Sequence, residues 1–269
     1  TRTPDAHFLT EVRYKGTKVV SVSPDYAEST TSSDAWLNVK AGTDAALAMA
    51  MGHVILKEYY IDKETPYFKE YAKEFTDMPF LVRVEDINGA VQPGRFLNAK
   101  DLGSKEDGAD FQTVLIDETT NEIVVPNGTM GDRHTNPQKW NLRLENRNTG
   151  AKIDPRLSVF DQREDVTVVK LPYFGDEEHE GVIERAIPTI TVQTVDGPVK
   201  VTTVYDLILA NYGIDRGIGG EVATSYTDDT PYTPTWQEKI TGVKADIAIA
   251  TAREFADNAE KTKGRSMII

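Results

Sequence analysis

The first sixty residues carry an apolar pattern that predicts helix, strand, strand and helix in that order. Residues 5–14 place their apolar side chains on one helical face, and a glycine follows as a stop signal. Two short apolar runs, Lys18–Ser23 and Ala35–Val39, are typical of buried strands. The second run leads through a small polar triplet, Gly42-Thr43-Asp44, into a helix that is apolar on nearly every face. This order of elements predicts a layered α/β unit.

The pattern between residues 65 and 200 changes from helical to strand-like. Residues 65–78 predict an amphipathic helix with one aromatic face, which we interpret as core: Tyr67, Phe68, Tyr71 and Phe75. Residues 79–200 hold several β-branched runs separated by turn signals, among them Asn88-Gly89 and Asp196-Gly197. The middle of the chain is therefore predicted to be β-rich.

Helical patterns return after residue 201. Helices are predicted over 204–212, 233–242 and 244–261, with Thr233 as the N-cap of the second. The third helix is predicted to bury one face: Ile247, Ile249, Ala252, Phe255 and Ala256. A glycine ends that helix, and Ser266–Ile269 is predicted as an apolar strand.

These patterns divide the chain into three segments. Residues 1–78 form an α/β segment, 79–200 a β-rich insertion, and 201–269 a helical return that ends in a strand of the α/β layer. The predicted fold class is α/β, a Rossmann-like layered unit interrupted by the insertion. The chain starts without Met and stops within a predicted strand, so we expect it to be a piece of a larger protein.

Composition and charge exclude several classes of function. The chain has no cysteine, which excludes disulfides, thiolate zinc sites and cysteine-held iron–sulfur clusters within it. Its four histidines lack the i, i+4 spacing of a helical metal site. A formal charge of −13 argues against nucleic acid as a partner. No apolar run has the length of a bilayer span, so direct membrane insertion is not expected.

The triplet Gly42-Thr43-Asp44 is the most informative motif. Gly42 permits backbone conformations closed to other residues and a close approach of a ligand. Thr43 suits an N-cap, and the helix dipole favours the carboxylate of Asp44. Two explanations stay open: a helix cap that needs no ligand, and a polar binding site at the start of the helix.

A second candidate motif, Ser23-Pro24-Asp25-Tyr26, directly follows the first predicted strand. In open α/β sheets, ligands bind beyond the carboxyl ends of the strands. A serine hydroxyl and an aspartate carboxylate at that place could bind a ribose or the edge of a base. The alternative is a simple turn that closes the strand.

Other motifs are weaker. Gly213–Gly220 is rich in glycine but follows a predicted helix, whereas the dinucleotide fingerprint needs a preceding strand. The pair Asp228-Asp229 is ordinary for an acidic surface. None of these motifs nominates a catalytic residue or a metal ligand.

Two long blocks of the sequence resemble a known family. The first is RTPDAHFLTEVRYKGTKVVSVSPDYAESTTSSDAWLNVKAGTDAALAMAMGHVILKEYY, and the second comprises VTTVYDLILANYG, YTPTWQEKITGV and AREFADNAEKTKGRSMII. Both are similar to the catalytic alpha subunits of membrane-bound respiratory nitrate reductases, molybdenum enzymes of the dimethyl sulfoxide reductase type. The middle of the chain resembles the same subunits more loosely.

The resemblance implies a bis(molybdopterin guanine dinucleotide)-molybdenum cofactor. In the family, segments that match Ser23-Pro24-Asp25-Tyr26 and Gly42-Thr43-Asp44 line the pocket for one guanosine arm. The resemblance thus implies that Asp44 accepts hydrogen bonds from the guanine edge, that Gly42 leaves room, and that Asp25 faces the ribose or the base.

The resemblance also implies what lies outside the chain. The iron–sulfur cluster and the aspartate ligand of molybdenum belong upstream, so this chain alone is expected to bind no cofactor and to be inactive. The implied partners are the rest of the alpha subunit, an iron–sulfur beta subunit, a membrane gamma subunit and nitrate. The implied location is cytoplasmic, at the inner face of the cell membrane. The alternative is a stand-alone guanine-nucleotide-binding or protein-interaction module.

Overall fold

The computed structural model describes residues 3–26, 28–128, 143–173 and 181–269. The chain forms two units, one made of Thr1–Ile55 with Ala223–Ile269 and the other of Leu56–Val222. The second unit is thus inserted in sequence between the two segments of the first. The segment boundaries predicted from the sequence lie at 78/79 and 200/201, whereas the units divide at 55/56 and 222/223.

The described chain is helical towards both ends and strand-rich in the middle. Its first elements are α1 (Thr3–Tyr14), β1 (Val20–Val22), α2 (Glu28–Thr31), β2 (Ala35–Leu37), α3 (Asp44–Ile55), a π-helical segment (Leu56–Asp62) and α4 (Pro66–Phe75). The middle holds β3 (Leu81–Ile87), β4 (Ala90–Phe96), a 3-10 turn (Ala109–Phe111), β5 (Leu115–Ile116), β6 (Ile123–Val124), β7 (Pro126–Asn127), β8 (Arg143–Asn146), β9 (Asp165–Pro172), β10 (Val182–Thr194) and β11 (Gly197–Thr203). The last elements are α5 (Val204–Asn211), α6 (Pro234–Thr241) and α7 (Ala245–Thr262).

The first unit packs three helices around a small parallel sheet. Strands β1 and β2 pair in parallel, with Val20 opposite Ala35 and Val22 opposite Leu37. Helices α3, α6 and α7 pack against one another. Their shared core contains Leu37, Val39, Leu47, Val243 and Ala248. The predicted mixture of helix and strand is therefore confirmed, while a Rossmann-like layer stays a prediction because the described parallel sheet has two strands.

Helix α7 buries a stripe of small residues. The buried positions are Ala248, Ala252, Ala256 and Ala259, at the i, i+4 and i, i+3 spacings of a single helical face. The predicted burial of Ala252 and Ala256 is confirmed, but that of Ile247 is wrong because its side chain is 45% exposed. Ile247 lies one residue before Ala248, about 100° around the helix from it, so its side chain points away from the packed stripe.

Helix α6 begins and ends as its sequence predicts. The hydroxyl of Thr233 accepts a hydrogen bond from the amide of Trp236 at 3.1 Å, which confirms the predicted N-cap. Gly242 ends the helix in the left-handed conformation, with φ of 82°. Between them Gln237 is fully buried, where it accepts from the Thr241 hydroxyl and donates to the Val243 carbonyl. These bonds fix the turn that follows α6.

The second unit is built on a five-stranded antiparallel sheet with the order β4-β3-β11-β10-β9. Its two edge strands, β4 and β9, approach each other, so the sheet curls into a half-barrel. The core inside the curl is aliphatic: Leu81, Leu97, Val114, Ile116, Val159, Val192 and Val201.

Two apolar segments are more exposed than predicted. On α4, Tyr71 is 47% exposed and Phe75 is 62% exposed, so their assignment to the core is wrong. Helical periodicity identifies residues that share a face, but it does not show whether another element covers that face. Ser266–Ile269 forms no strand, because no described strand lies beside it to supply hydrogen-bonding partners.

Candidate functional site

The structure brings both predicted site segments to one edge of the parallel sheet. Ser23-Pro24-Asp25-Tyr26 follows the last residue of β1, and residues 38–41 separate the end of β2 from Gly42-Thr43-Asp44. Because β1 and β2 run in parallel, their carboxyl ends lie at the same edge. The amide of Ser23 donates to the Leu37 carbonyl at 3.2 Å, which joins the two strand ends directly.

The triplet presents an open, unpartnered carboxylate. Gly42 has a φ of +80°, and apart from its two chain neighbours no heavy atom lies within 4 Å of the position that a Cβ would occupy there. Thr43 donates its hydroxyl hydrogen to the Lys40 carbonyl at 2.6 Å. Asp44 is the exposed first residue of α3, and its carboxylate has no hydrogen bond or ion pair to any described residue. Among the described residues, neither the Thr43 nor the Asp44 side chain accepts the amide hydrogen bond that a helix cap would require.

The segment after β1 folds as a turn. The Ser23 hydroxyl donates to the carbonyl of Asp25 at 2.9 Å and lies 3.1 Å from its carboxylate Oδ1. These contacts are compatible with the turn explanation, and they leave the outer side chains of the segment exposed. Pro24 and Asp25 are exposed, and Tyr26 is 65% exposed. The turn and a binding role are therefore compatible.

Trp36, in the middle of β2, belongs to this edge although no sequence motif pointed to it. Its indole Nε1 donates to the Ser23 carbonyl at 2.9 Å. Its ring meets the Tyr26 ring edge to face, with centroids 5.3 Å apart. Such pairs contribute about 0.5–1.5 kcal/mol beyond their buried area. The sequence did contain a signal for this position: a tryptophan in a short strand, one residue before the buried Leu37. Because side chains alternate along a strand, Trp36 faces the side opposite to Leu37.

Hydrogen bonds tie both ends of the two parallel strands to neighbouring parts of the chain. The amide of Lys40 donates to the Thr241 carbonyl at 2.9 Å, which ties the loop before the triplet to the end of α6. At the other end of the strands, Asp34 accepts from Arg13 Nη2 at 2.7 Å and from the Val19 amide at 2.8 Å. The Arg13 hydrogen bond, with that of the Val19 amide, holds the pKa of Asp34 below its ordinary value. Both ends of β1 and β2 are thus anchored.

The electrostatic character of the edge is acidic. The seven predicted residues include two carboxylates, Asp25 and Asp44, and no cation. Carboxylates accept hydrogen bonds and repel phosphate, so this edge suits the N–H and O–H donors of a base and a ribose. A phosphate group would need its partners elsewhere.

The weaker motifs have structural partners. Arg216 of the glycine-rich Gly213–Gly220 segment is paired with the buried carboxylate of Asp206. Asp228 accepts hydrogen bonds from the Thr224 hydroxyl and from the amides of Thr224 and Ser225, and these bonds lower its pKa. Arg216 and Asp228 therefore have structural roles within the fold.

Neither a bilayer span nor a metal site is found in the part of the chain that the structure describes. No described helix has both the length and the apolar character of a bilayer span. No described group of three or more His, Asp or Glu residues has the arrangement of a metal site.

Comparison with known proteins defines the class. The family model for molybdopterin oxidoreductases matches residues 1–269. The chain therefore belongs to the molybdopterin oxidoreductase family.

Individual relatives within the family are more specific. The chain is 51% identical to the nitrate reductase alpha chain of Bacillus subtilis strain 168, over 100% of this chain and 22% of that protein. It is 48% identical to the respiratory nitrate reductase 1 alpha chain of Escherichia coli K12, again over 100% of this chain and 22% of that protein. The perchlorate reductase subunit alpha of Dechloromonas aromatica is 40% identical over 49% of this chain and 13% of that protein. The resemblance to nitrate reductase alpha subunits is confirmed, and the chain spans less than a quarter of the length of the Bacillus subtilis and Escherichia coli subunits.

Proposed function

We propose that this chain is part of a nitrate reductase alpha subunit whose complete form reduces nitrate to nitrite. The observation that carries the proposal is identity along the whole chain, 51% and 48%, to two nitrate reductase alpha chains. The perchlorate reductase relative matches 49% of the chain, which favours nitrate as the substrate. The iron–sulfur cluster, the molybdenum ligand and any catalytic group would be supplied by the rest of the subunit, so the chain alone is inactive.

Within that subunit, the acidic sheet edge would bind one guanosine arm of a bis(molybdopterin guanine dinucleotide) cofactor. Guanine presents two adjacent donors, N1–H and the 2-amino group, and a carboxylate can accept both. Asp44 suits this role because its carboxylate is exposed and has no partner among the described residues. Gly42 leaves open space beside it, and Asp25 is available to ribose hydroxyls. A charge-assisted hydrogen bond of this kind contributes about 1.5–3 kcal/mol.

The residues of this chain would bind and orient, while the cofactor supplies the redox chemistry. When bound, the molybdenum cofactor supplies oxygen-atom transfer and accepts the electrons that nitrate reduction consumes. Asp44 would fix the guanine edge, and the frame around Lys40 and Thr241 would hold Asp44 in place. The two strands β1 and β2 would extend into a larger Rossmann-like layer completed by the rest of the subunit.

The wider assembly follows from the same proposal. The complete alpha subunit would receive electrons through its own iron–sulfur cluster from an iron–sulfur beta subunit. A membrane gamma subunit would hold the complex at the inner, cytoplasmic face of the cell membrane.

The proposal is tested in the complete subunit with Asp44→Asn and Asp44→Ala. We expect the guanine nucleotide bound per polypeptide, measured after acid release, to fall together with the molybdenum content. In Asp44→Asn the side-chain amide places an N–H donor opposite a guanine donor. This variant should therefore lose at least as much bound guanine as Asp44→Ala does.

The matched control is Asp246→Asn, because Asp246 is an exposed acid in the first turn of another helix of the same unit. It reproduces the change in charge near a helix N-terminus and leaves the sheet edge intact. Wild-type guanine and molybdenum contents in both Asp44 variants would contradict the assignment of the pocket. An independent protein of the size of this chain, found without molybdenum in the native source, would instead support the stand-alone module.

A further inference from the structure

Trp36 connects the sheet to the turn that carries Asp25 and Tyr26. Its indole N–H reaches the Ser23 carbonyl at 2.9 Å, while the Ser23 amide reaches the Leu37 carbonyl at 3.2 Å. Both polar backbone groups of Ser23 are thus held by β2. Because a serine before proline has restricted backbone freedom, fixing these groups fixes the direction in which the turn leaves the strand.

The constraint continues from Ser23 to the carboxylate of Asp25. The Ser23 hydroxyl donates to the Asp25 carbonyl at 2.9 Å and lies 3.1 Å from Oδ1 of its carboxylate. Asp25 has no hydrogen bond to any other described residue. The orientation of this exposed carboxylate therefore depends on a chain of contacts that starts at the indole of Trp36.

Tyr26 depends on the same side chain. Its ring is 65% exposed, and its described ring contact is the edge-to-face contact with Trp36 at 5.3 Å and 80°. Trp36 is itself 37% exposed, so it is not a simple core residue. One side chain thus holds both groups that the turn offers to a ligand.

We infer that Trp36 is a positioning residue for purine nucleoside binding at this sheet edge. The inference rests on the proposed function. Trp36 holds the Ser23 carbonyl and the Tyr26 ring, and through them it aims the Asp25 carboxylate at the donors of the nucleoside. No position of this kind was predicted from the sequence, which named Ser23, Pro24, Asp25 and Tyr26 but not the strand residue behind them.

The test uses the complete cofactor-loaded subunit and measures the first-order rate at which the whole cofactor dissociates after dilution, with the released cofactor assayed by the guanine nucleotide that acid frees from it. Trp36→Phe keeps an aromatic ring for Tyr26 but removes the indole donor. We expect it to speed release by roughly 2- to 10-fold, the factor that one lost hydrogen bond corresponds to. Trp236→Phe is the matched control, since Trp236 also meets a tyrosine ring edge to face, at 5.4 Å from Tyr232, within the same unit.

A double variant separates positioning from general stability. If Trp36 acts through Asp25, adding Trp36→Phe to Asp25→Ala should change release by less than about 2-fold. An equal effect of Trp36→Phe in both backgrounds, or none in the wild-type background, would overturn the inference. If Asp25→Ala speeds release and Trp36→Phe does not, the inference alone fails. If neither Asp25→Ala nor Asp44→Ala changes release, the proposed pocket fails as well.

Discussion

Two aspartates in the first turns of helices show opposite environments in the two units. Asp44 opens α3 in the first unit and is exposed, with no partner among the described residues. Asp206 lies in the first turn of α5 in the second unit and is fully buried. Its carboxylate accepts hydrogen bonds from four groups: the Ser158 hydroxyl, the Val159 amide, the Thr203 hydroxyl and Arg216 Nη1.

The difference separates an acid that holds the fold from one that is available to a ligand. Around Asp206 the carboxylate oxygens are occupied by these donors, and Arg216 also lies 4.2 Å from the Phe160 ring. A buried carboxylate that is saturated in this way has no lone pair left for a substrate. By contrast, the carboxylate of Asp44 is exposed and follows a loop that a hydrogen bond ties to α6. Position in the first turn is shared, so burial and partners distinguish the two roles.

The largest effect on stability is expected from Asp206→Ala. Removing this carboxylate leaves the guanidinium of Arg216, which is 10% exposed, without its charged partner. We expect the free energy of unfolding of the second unit to fall by about 3–5 kcal/mol in urea titrations. Asp165→Ala is the control, because Asp165 forms an exposed ion pair with Lys200 and its loss should destabilise the unit far less than the loss of Asp206. Equal losses in the two variants would remove the distinction drawn for Asp206.

Asp44→Asn should weaken guanine binding and leave stability nearly unchanged. We expect its affinity for guanine to fall roughly 10-fold or more, because the lost contact contributes about 1.5–3 kcal/mol. Its unfolding free energy should stay within about 0.5 kcal/mol of wild type, since the side chain is exposed and unpartnered. Urea titration and guanine content measured on the same preparation check both halves. A loss of stability comparable to that of Asp206→Ala would show that Asp44 is structural.

The ion pair of Asp101 in the second unit can be tested by the pH dependence of stability. Burial alone would raise the pKa of this side chain, but the hydrogen bonds from Arg95 and from the Asn98 amide outweigh it, and the net pKa is lowered from 3.8. A lowered folded-state pKa gives stability that is present above the unfolded pKa and lost as pH falls through the folded value. The stability advantage of wild type over Asp101→Asn should therefore be constant from pH 7 to about 5 and shrink below about 4. An advantage that grows on acidification would contradict this ion pair.

The smallest effect is expected at Gly42. Its φ of +80° costs a residue with a Cβ about 1 kcal/mol, although the surrounding space is open. Gly42→Ala should lower the unfolding free energy of the first unit by about that amount, and Gly42→Asn by less, because asparagine tolerates the left-handed region. Urea titrations of the two variants check this order. A larger loss for asparagine than for alanine would indicate that the loop is constrained by contact rather than by conformation.

Local signals in the sequence predicted much of the first unit. The Thr233 cap, the strand before Ser23 and the apolar helix after Asp44 depend on neighbouring residues, so a short window contains their cause. The placement of Ser23-Pro24-Asp25-Tyr26 and Gly42-Thr43-Asp44 at one sheet edge follows from parallel pairing, which the order of elements suggests.

Long-range partners could not be predicted in the same way. The network around Asp206 joins residues 10 and 48 positions away, Arg216 and Ser158, and no short pattern encodes it. The role of Trp36 depends on a carbonyl 13 positions earlier in the chain. The exposure of Tyr71 and Phe75 depends on which elements cover α4, and the sequence of α4 does not contain that information.

The most direct test of the guanosine assignment is an experimental structure of the complete, cofactor-loaded alpha subunit. We expect a carboxylate oxygen of Asp44 at about 2.7–3.2 Å from N1 or the 2-amino nitrogen of a guanine, with Asp25 beside the same nucleoside. A guanine edge bound by other residues, with Asp44 facing solvent or another part of the polypeptide, would contradict the assignment.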